Sequence, residues 1–134
     1  MFSRFRAAVF YYCCLCLAVK VENAAKMYVD AAGYHRSTTA AVARGTKVMD
    51  KANKALEAAP DEDTRRRILE QRRDAAEDLR HSLQEHATAE LRLDEAQQRR
   101  ERFSQQLVLV LDGWEDRRLA AAAKIYDQGI NHQP

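Results

Sequence analysis

Three thiols crowd into one short apolar run: Cys13, Cys14 and Cys16 lie within FYYCCLCLAV, residues 10–19, and the chain has no other cysteine. Thiolates could ligate zinc or an iron–sulfur cluster, but such sites take four ligands, ordinarily as two separated pairs, and no second pair exists. As small hydrophobes in a protein or membrane contact they need no further chemistry. Acylation of a thiol beside a membrane is the modification their position suggests. His81 and His86 are the other candidate ligands. Five residues on one helix set them about 140° apart, so they cannot ligate together as an i, i+4 pair does. Asp78-x-x-His81 has the spacing of half a carboxylate-bridged di-iron motif, which needs a second copy and further carboxylates. Both histidines therefore read as solvated helix-face residues, with Glu77 and Glu85 beside His81.

Arg65 to Arg73, RRRILEQRR, has the density of a nucleic-acid-binding helix. The acids at 61–63, with Glu70 and Asp74, neutralise it locally, and no aromatic is present there to stack on bases, so a salt-bridged solvated face is the reading and nucleic acid is not an expected partner. No catalytic, cofactor-binding or metal-ligating residue is assigned. The expectation is a non-enzymatic chain without a cofactor.

The elements that must position these residues are helical. In 134 residues there are two prolines and four glycines, with 31% charged and 7% aromatic residues, a balance that excludes a thick globular core. Strong helix formers dominate from Glu22 onward. Pro60 divides the chain: helix stops near Ala59, and a second helix is expected to begin with Pro60 in its first turn, followed by Asp61, Glu62 and Asp63 where the helix dipole favours acids. These three acids each stand four residues ahead of an arginine of Arg65–Arg67.

Before Pro60, Met27, Ala31, Tyr34, Thr38, Ala41, Gly45, Val48, Ala52 and Ala55 recur in steps of three and four, one helical stripe. Beside it Gly33, Ser37, Ala41 and Gly45 form a row of small side chains that would let another helix approach closely, or else mark a helix bend. After Pro60 the stripe is thin: Leu69, Ala76, Leu79, Leu83, Leu93, Phe103, Leu107 and Leu111, interrupted by Arg72, Glu90, Gln97 and Arg100. Such a face covers one neighbouring helix, and Leu69, Leu79 and Leu83 are expected to face the first arm. Asp112 and Glu115 are spaced as a capping box beside Gly113, predicting a short last helix over about 113–128. The fold class is thus all-α: an extended antiparallel hairpin of helices at about 23–59 and 60–111, a short C-terminal helix, and an apolar N-terminal segment, giving two parts, 1–21 and 22–134. Charge fits a hairpin, with nine Lys/Arg against four Asp/Glu in residues 1–60 and thirteen against sixteen in 61–134.

Residues 1–21 contain Arg4, Arg6 and Lys20 and no acid. The apolar run from Ala7 to Val19 would be about 20 Å of helix against roughly 30 Å for a bilayer core. Arg4 and Arg6 with Cys16-x-Ala18 fit a secretory signal; the arginines, a serine and the lack of acids fit a mitochondrial address. We take the segment as a retained anchor whose cationic ends snorkel, with membrane contact through residues 7–19 and Phe10, Tyr11, Tyr12, Leu15 and Leu17 as its apolar anchors. Leu107, Leu109, Leu111 and Trp114 form the densest apolar patch elsewhere, and a longer second arm leaves them without a cover, so they are the expected partner-binding residues. The alternative is that the N-terminal segment folds back over Trp114.

On composition and layout this chain is similar to stalk and supernumerary subunits of F-type ATP synthases and respiratory complexes, without a shared motif. The resemblance implies a non-catalytic accessory subunit of a mitochondrial inner-membrane complex, partnered by other protein subunits. An RNA-contacting accessory protein of the mitochondrial ribosome and a secreted helical protein are the alternatives.

Overall fold

The computed structural model describes residues 2–131, which form two long helices packed as a hairpin: α1, Phe2–Glu57, and α2, Glu62–Asn131. Ala58 donates to the Lys54 carbonyl at 3.2 Å and Ala59 to that of Leu56 at 3.4 Å, after which Pro60 ends the helix. Asp61, rather than Pro60, opens α2. Its carboxylate accepts from the Thr64 amide at 2.9 Å and its carbonyl from the Arg65 amide at 3.1 Å, the geometry of an N-cap. Pro60 stays in the connecting turn because the cap residue must be non-helical with an accepting side chain, which proline lacks.

Two expected breaks are absent. Residues 2–21 are helical and continuous with the rest of α1, so the first helix does not start at 23. α2 runs through Asp112 and Gly113 to Asn131 without a separate C-terminal helix. Gly113 has no positive φ, and an aspartate in the interior costs a helix at most about 0.7 kcal/mol, too little to end it.

The helices pack within two compact units, residues 27–97 and residues 1–26 with 98–134. In the first, α1 turns Tyr28, Ala31, His35, Thr38, Val42, Gly45, Met49, Ala52 and Leu56 inward, and α2 answers with Ile68, Ala75, Leu79, Ser82, His86, Ala89, Leu93 and Ala96. Steps alternating between three and four average 3.5 residues, a coiled-coil seam. Its occupants are small: Thr38, Ala89 and Ala96 are among the few buried residues. Small seam residues let the helix axes come close, and the large apolar side chains flank the contact half-exposed. Leu69, Leu83 and Val48, expected on the seam, are 45%, 48% and 54% exposed, with Ile68 and Ser82 inside in place of the two leucines.

The row Gly33, Ser37, Ala41, Gly45 meets α2 only toward its end. Four residues advance about 400° around a helix, so the row winds away from any straight neighbour. Ser37 is exposed, Gly33 has only the Arg36 guanidinium at 4.0 Å from a built Cβ, and Gly45 lies against Leu79, whose Cδ1 would be 2.9 Å from such an atom.

In the second unit Ala24 is buried, and Phe10, Cys14, Leu17 and Val21 line the contact from α1. Phe103, Leu107, Val110 and Trp114 are half-buried on α2. Phe10 stacks on Trp114 with ring centroids 4.2 Å apart and an 11° interplanar angle, and the Lys20 ammonium lies 5.7 Å from the Phe103 ring. Among the described residues no helix is long and apolar enough to cross a membrane.

Candidate functional site

The densest polar constellation lies inside residues 27–97, where the seam admits three non-aliphatic side chains in adjoining turns. His35 and Thr38 come from α1, one turn apart; His86 comes from α2, with Glu90 one turn further on. The two imidazole rings are 4.9 Å apart and tilted by 37°. Thr38, 4% exposed, donates its hydroxyl to the His35 carbonyl at 2.9 Å, and its oxygen lies 3.0 Å from His86 Nδ1. On its other edge, His86 Nε2 is 3.2 Å from Glu90 Oε1. One ligand atom from each of His35, His86 and Glu90 lies within 4.8 Å of the others.

Two tautomers of His86 fit these distances. Threonine has one hydroxyl proton, and the His35 carbonyl can take it. With that proton directed at the carbonyl the Thr38 oxygen accepts from His86 Nδ1–H; rotated toward the ring, the same hydroxyl donates to a bare Nδ1 and leaves the ring proton on Nε2, facing Glu90. A neutral ring protonated at Nδ1 presents a bare lone pair at Nε2 to a carboxylate oxygen, also an acceptor. A cation can bridge two such acceptors, whereas in the other tautomer Nε2–H donates to Glu90 directly.

His86 is therefore not the solvated helix-face residue expected from sequence: its side chain is 22% exposed and occupies the seam. His81 does stand in solvent, 74% exposed and 3.3 Å from Glu85. The ring that faces His86 is that of His35 and not of His81, and Thr38 beside it is 48 residues from His86 in the chain. The available signal was the turn, since hairpin residues equally far from Pro60 face each other, and His35 precedes it by about as much as His86 follows it.

The thiols do not converge. Cys13, Cys14 and Cys16 are free, the first and last exposed and Cys14 half-buried. At about 100° per residue Cys13 and Cys16 lie about 60° apart on the exposed side of α1, and Cys14 faces the contact with α2. Cys13 joins Phe5, Val9, Phe10, Val110 and Trp114 around an apolar groove bordered by Arg6, Arg117 and Arg118.

The expected partner patch is partly covered within the chain. Trp114 lies under Phe10 and Leu107 is half-buried, because residues 2–21 extend α1 and supply the cover that a shorter first arm would lack. Leu109 and Leu111 remain 70% and 46% exposed. Of the expected anchor residues, Tyr11, Tyr12 and Leu15 are exposed, whereas Phe10 and Leu17 are half-buried against α2. Comparison with protein-family models, characterised proteins and solved structures finds no match, so the functional reading rests on this chain's own geometry.

Proposed function

We propose that this chain is a non-catalytic structural subunit, a helical hairpin that braces a larger membrane-associated assembly by packing against other protein subunits. The observation that carries the reading is that nine of the fifteen exposed large apolar side chains among the described residues, including the exposed aromatics Phe5, Tyr11 and Tyr12, lie within residues 5–19 and 108–111. Phe5, Tyr11, Tyr12 and Leu109 are each 66–70% exposed, and Val9, Leu15, Val19, Val108 and Leu111 are about half-exposed. Scattered apolar residues are ordinary on a surface, but aromatics gathered with arginines have the composition of an interface.

At about 100° per residue, Tyr11, Tyr12, Leu15 and Val19 share the side of α1 turned away from the Phe10–Leu17 contact. The groove beside Phe5 and Val9 lies between them. Its arginine border, Arg6, Arg117 and Arg118, suits a partner helix with acidic residues flanking an apolar stripe. The acid-free, arginine-containing N-terminus favours the mitochondrial inner membrane as the setting, with an energy-transducing complex as the assembly. Contact with the bilayer would then be lateral, through residues 7–19, since the helix is too short in its apolar run to cross.

The test is extraction of native membranes carrying the tagged full chain. Retention through high salt, release by mild detergent, and migration with a large protein complex on a native gel are expected. A chain recovered as a soluble monomer, or released by salt together with ribosomal RNA, contradicts the reading.

A further inference from the structure

We propose that His35, His86 and Glu90 bind a divalent transition-metal ion, Zn(II) by ligand type, that clasps α1 to α2 within residues 27–97. His86 Nε2 and Glu90 Oε1 lie 3.2 Å apart, and His35 brings a ligand atom to the same cluster from α1. In the tautomer whose Nδ1–H donates to Thr38, Nε2 carries the ring's lone pair 3.2 Å from a Glu90 carboxylate oxygen. Two atoms each about 2.0–2.1 Å from a tetrahedral ion are separated by about 3.3 Å, so this pair is spaced as two ligands of one zinc.

His35 supplies the third ligand from the opposite helix. The set spans 4.8 Å at most, and bringing it to coordination distance asks for about 1.5 Å of movement by an end ligand, within reach of rotating a half-buried imidazole. Two imidazoles and one carboxylate suit zinc and its neighbours; magnesium and calcium prefer all-oxygen shells. Water would complete the shell, and Glu90, 62% exposed, opens the site to solvent.

Thr38 serves as a positioning residue. Its buried hydroxyl links the His35 backbone to His86 Nδ1, which holds the metal-binding nitrogen outward, the support that metal-ligating histidines ordinarily receive from a second hydrogen-bond partner. His81 and Glu85 supply the contrast: an exposed i, i+4 pair with no ligand from the other helix.

The experiment uses the full chain, stripped with chelator and titrated with Zn(II) by calorimetry and with Co(II) by visible absorption. Uptake of one ion per chain is expected, with a metal-dependent rise in melting temperature because the ligands come from both helices. His35→Gln and Glu90→Gln should weaken binding at least tenfold, and Thr38→Val by about 10- to 100-fold. Thr38→Ser, which keeps the hydroxyl, and His81→Gln should bind as the parent does. Glu90 is exposed, so Glu90→Gln keeps the test informative should a seam variant lose helicity. The proposal is overturned by absence of uptake, by equal affinity in His35→Gln and Glu90→Gln, or by loss of binding in His81→Gln.

Discussion

Gly45 and Gly113 carry the same helix-propensity penalty and differ in what surrounds them. A Cβ at 45 would meet Leu79 Cδ1 at 2.9 Å and its Cβ at 3.5 Å, whereas at 113 nothing lies within 4 Å. Gly113→Ala should therefore stabilise α2 by about 1 kcal/mol, read by urea unfolding followed with circular dichroism. Gly45→Leu should cost about 1–3 kcal/mol, because a branched side chain there pushes against the Leu79 backbone side of the contact. The sole tryptophan reports on the other unit. Phe10→Ala removes the ring stacked on Trp114, and its acrylamide quenching in the isolated chain should rise with a red shift in emission. Unchanged quenching would mean that Phe10 is not the cover.

At the scale of elements, α2 depends on a start signal that reads directly from PDEDT. Hydrogen bonding from the Thr64 side chain, and next from the Thr64 amide, holds the Asp61 carboxyl below the ordinary aspartate range. A carboxyl lowered in the folded state stabilises fully above its unfolded value, about 4, and the contribution is lost as pH falls through the lower folded value. Melting temperature should therefore decline more steeply below pH ~4 in the parent than in Asp61→Asn, which keeps an accepting oxygen without the charge. Asp61→Ala should melt lower than both near neutrality. Equal acid sensitivity in all three would remove Asp61 from the account. The extent of α2 was less legible. Asp112 and Glu115 have a cap's spacing, but a local signal starts a helix only where the preceding chain must stop, and nothing before Asp112 obliges it to.

For the molecule as a whole, the consequence of small seam residues is a thin interior. Ala24, Ala89 and Ala96 are the buried hydrophobic residues among those described, and no large side chain is fully buried. Apolar burial of that kind offsets little of the entropy of ordering two long helices. The isolated chain should unfold over a broad temperature range with rapid amide exchange, and its exchange should slow in the assembled state. Tyr12→Asp or Leu109→Asp should weaken incorporation into the assembly and leave the helicity of the free chain unchanged, since both side chains are about 70% exposed. Loss of helicity in either variant would show that these residues serve the fold rather than a partner.

Helix content and the turn at Pro60 were determined by sequence alone, because proline geometry, capping and propensity act over a few residues. The hairpin followed, since one thin apolar stripe per arm can be satisfied by one neighbour. Which residues face that neighbour was decided by tertiary packing. A 3.5-residue seam drifts against a row spaced by four, and close approach selects Gly45, Ala89 and Ala96 over the larger Leu69 and Leu83 beside the contact. The same packing brings His35 to His86 from opposite helices. Neither residue announces the other in sequence, because their spacing is set by the hairpin's register and not by any repeat along one helix.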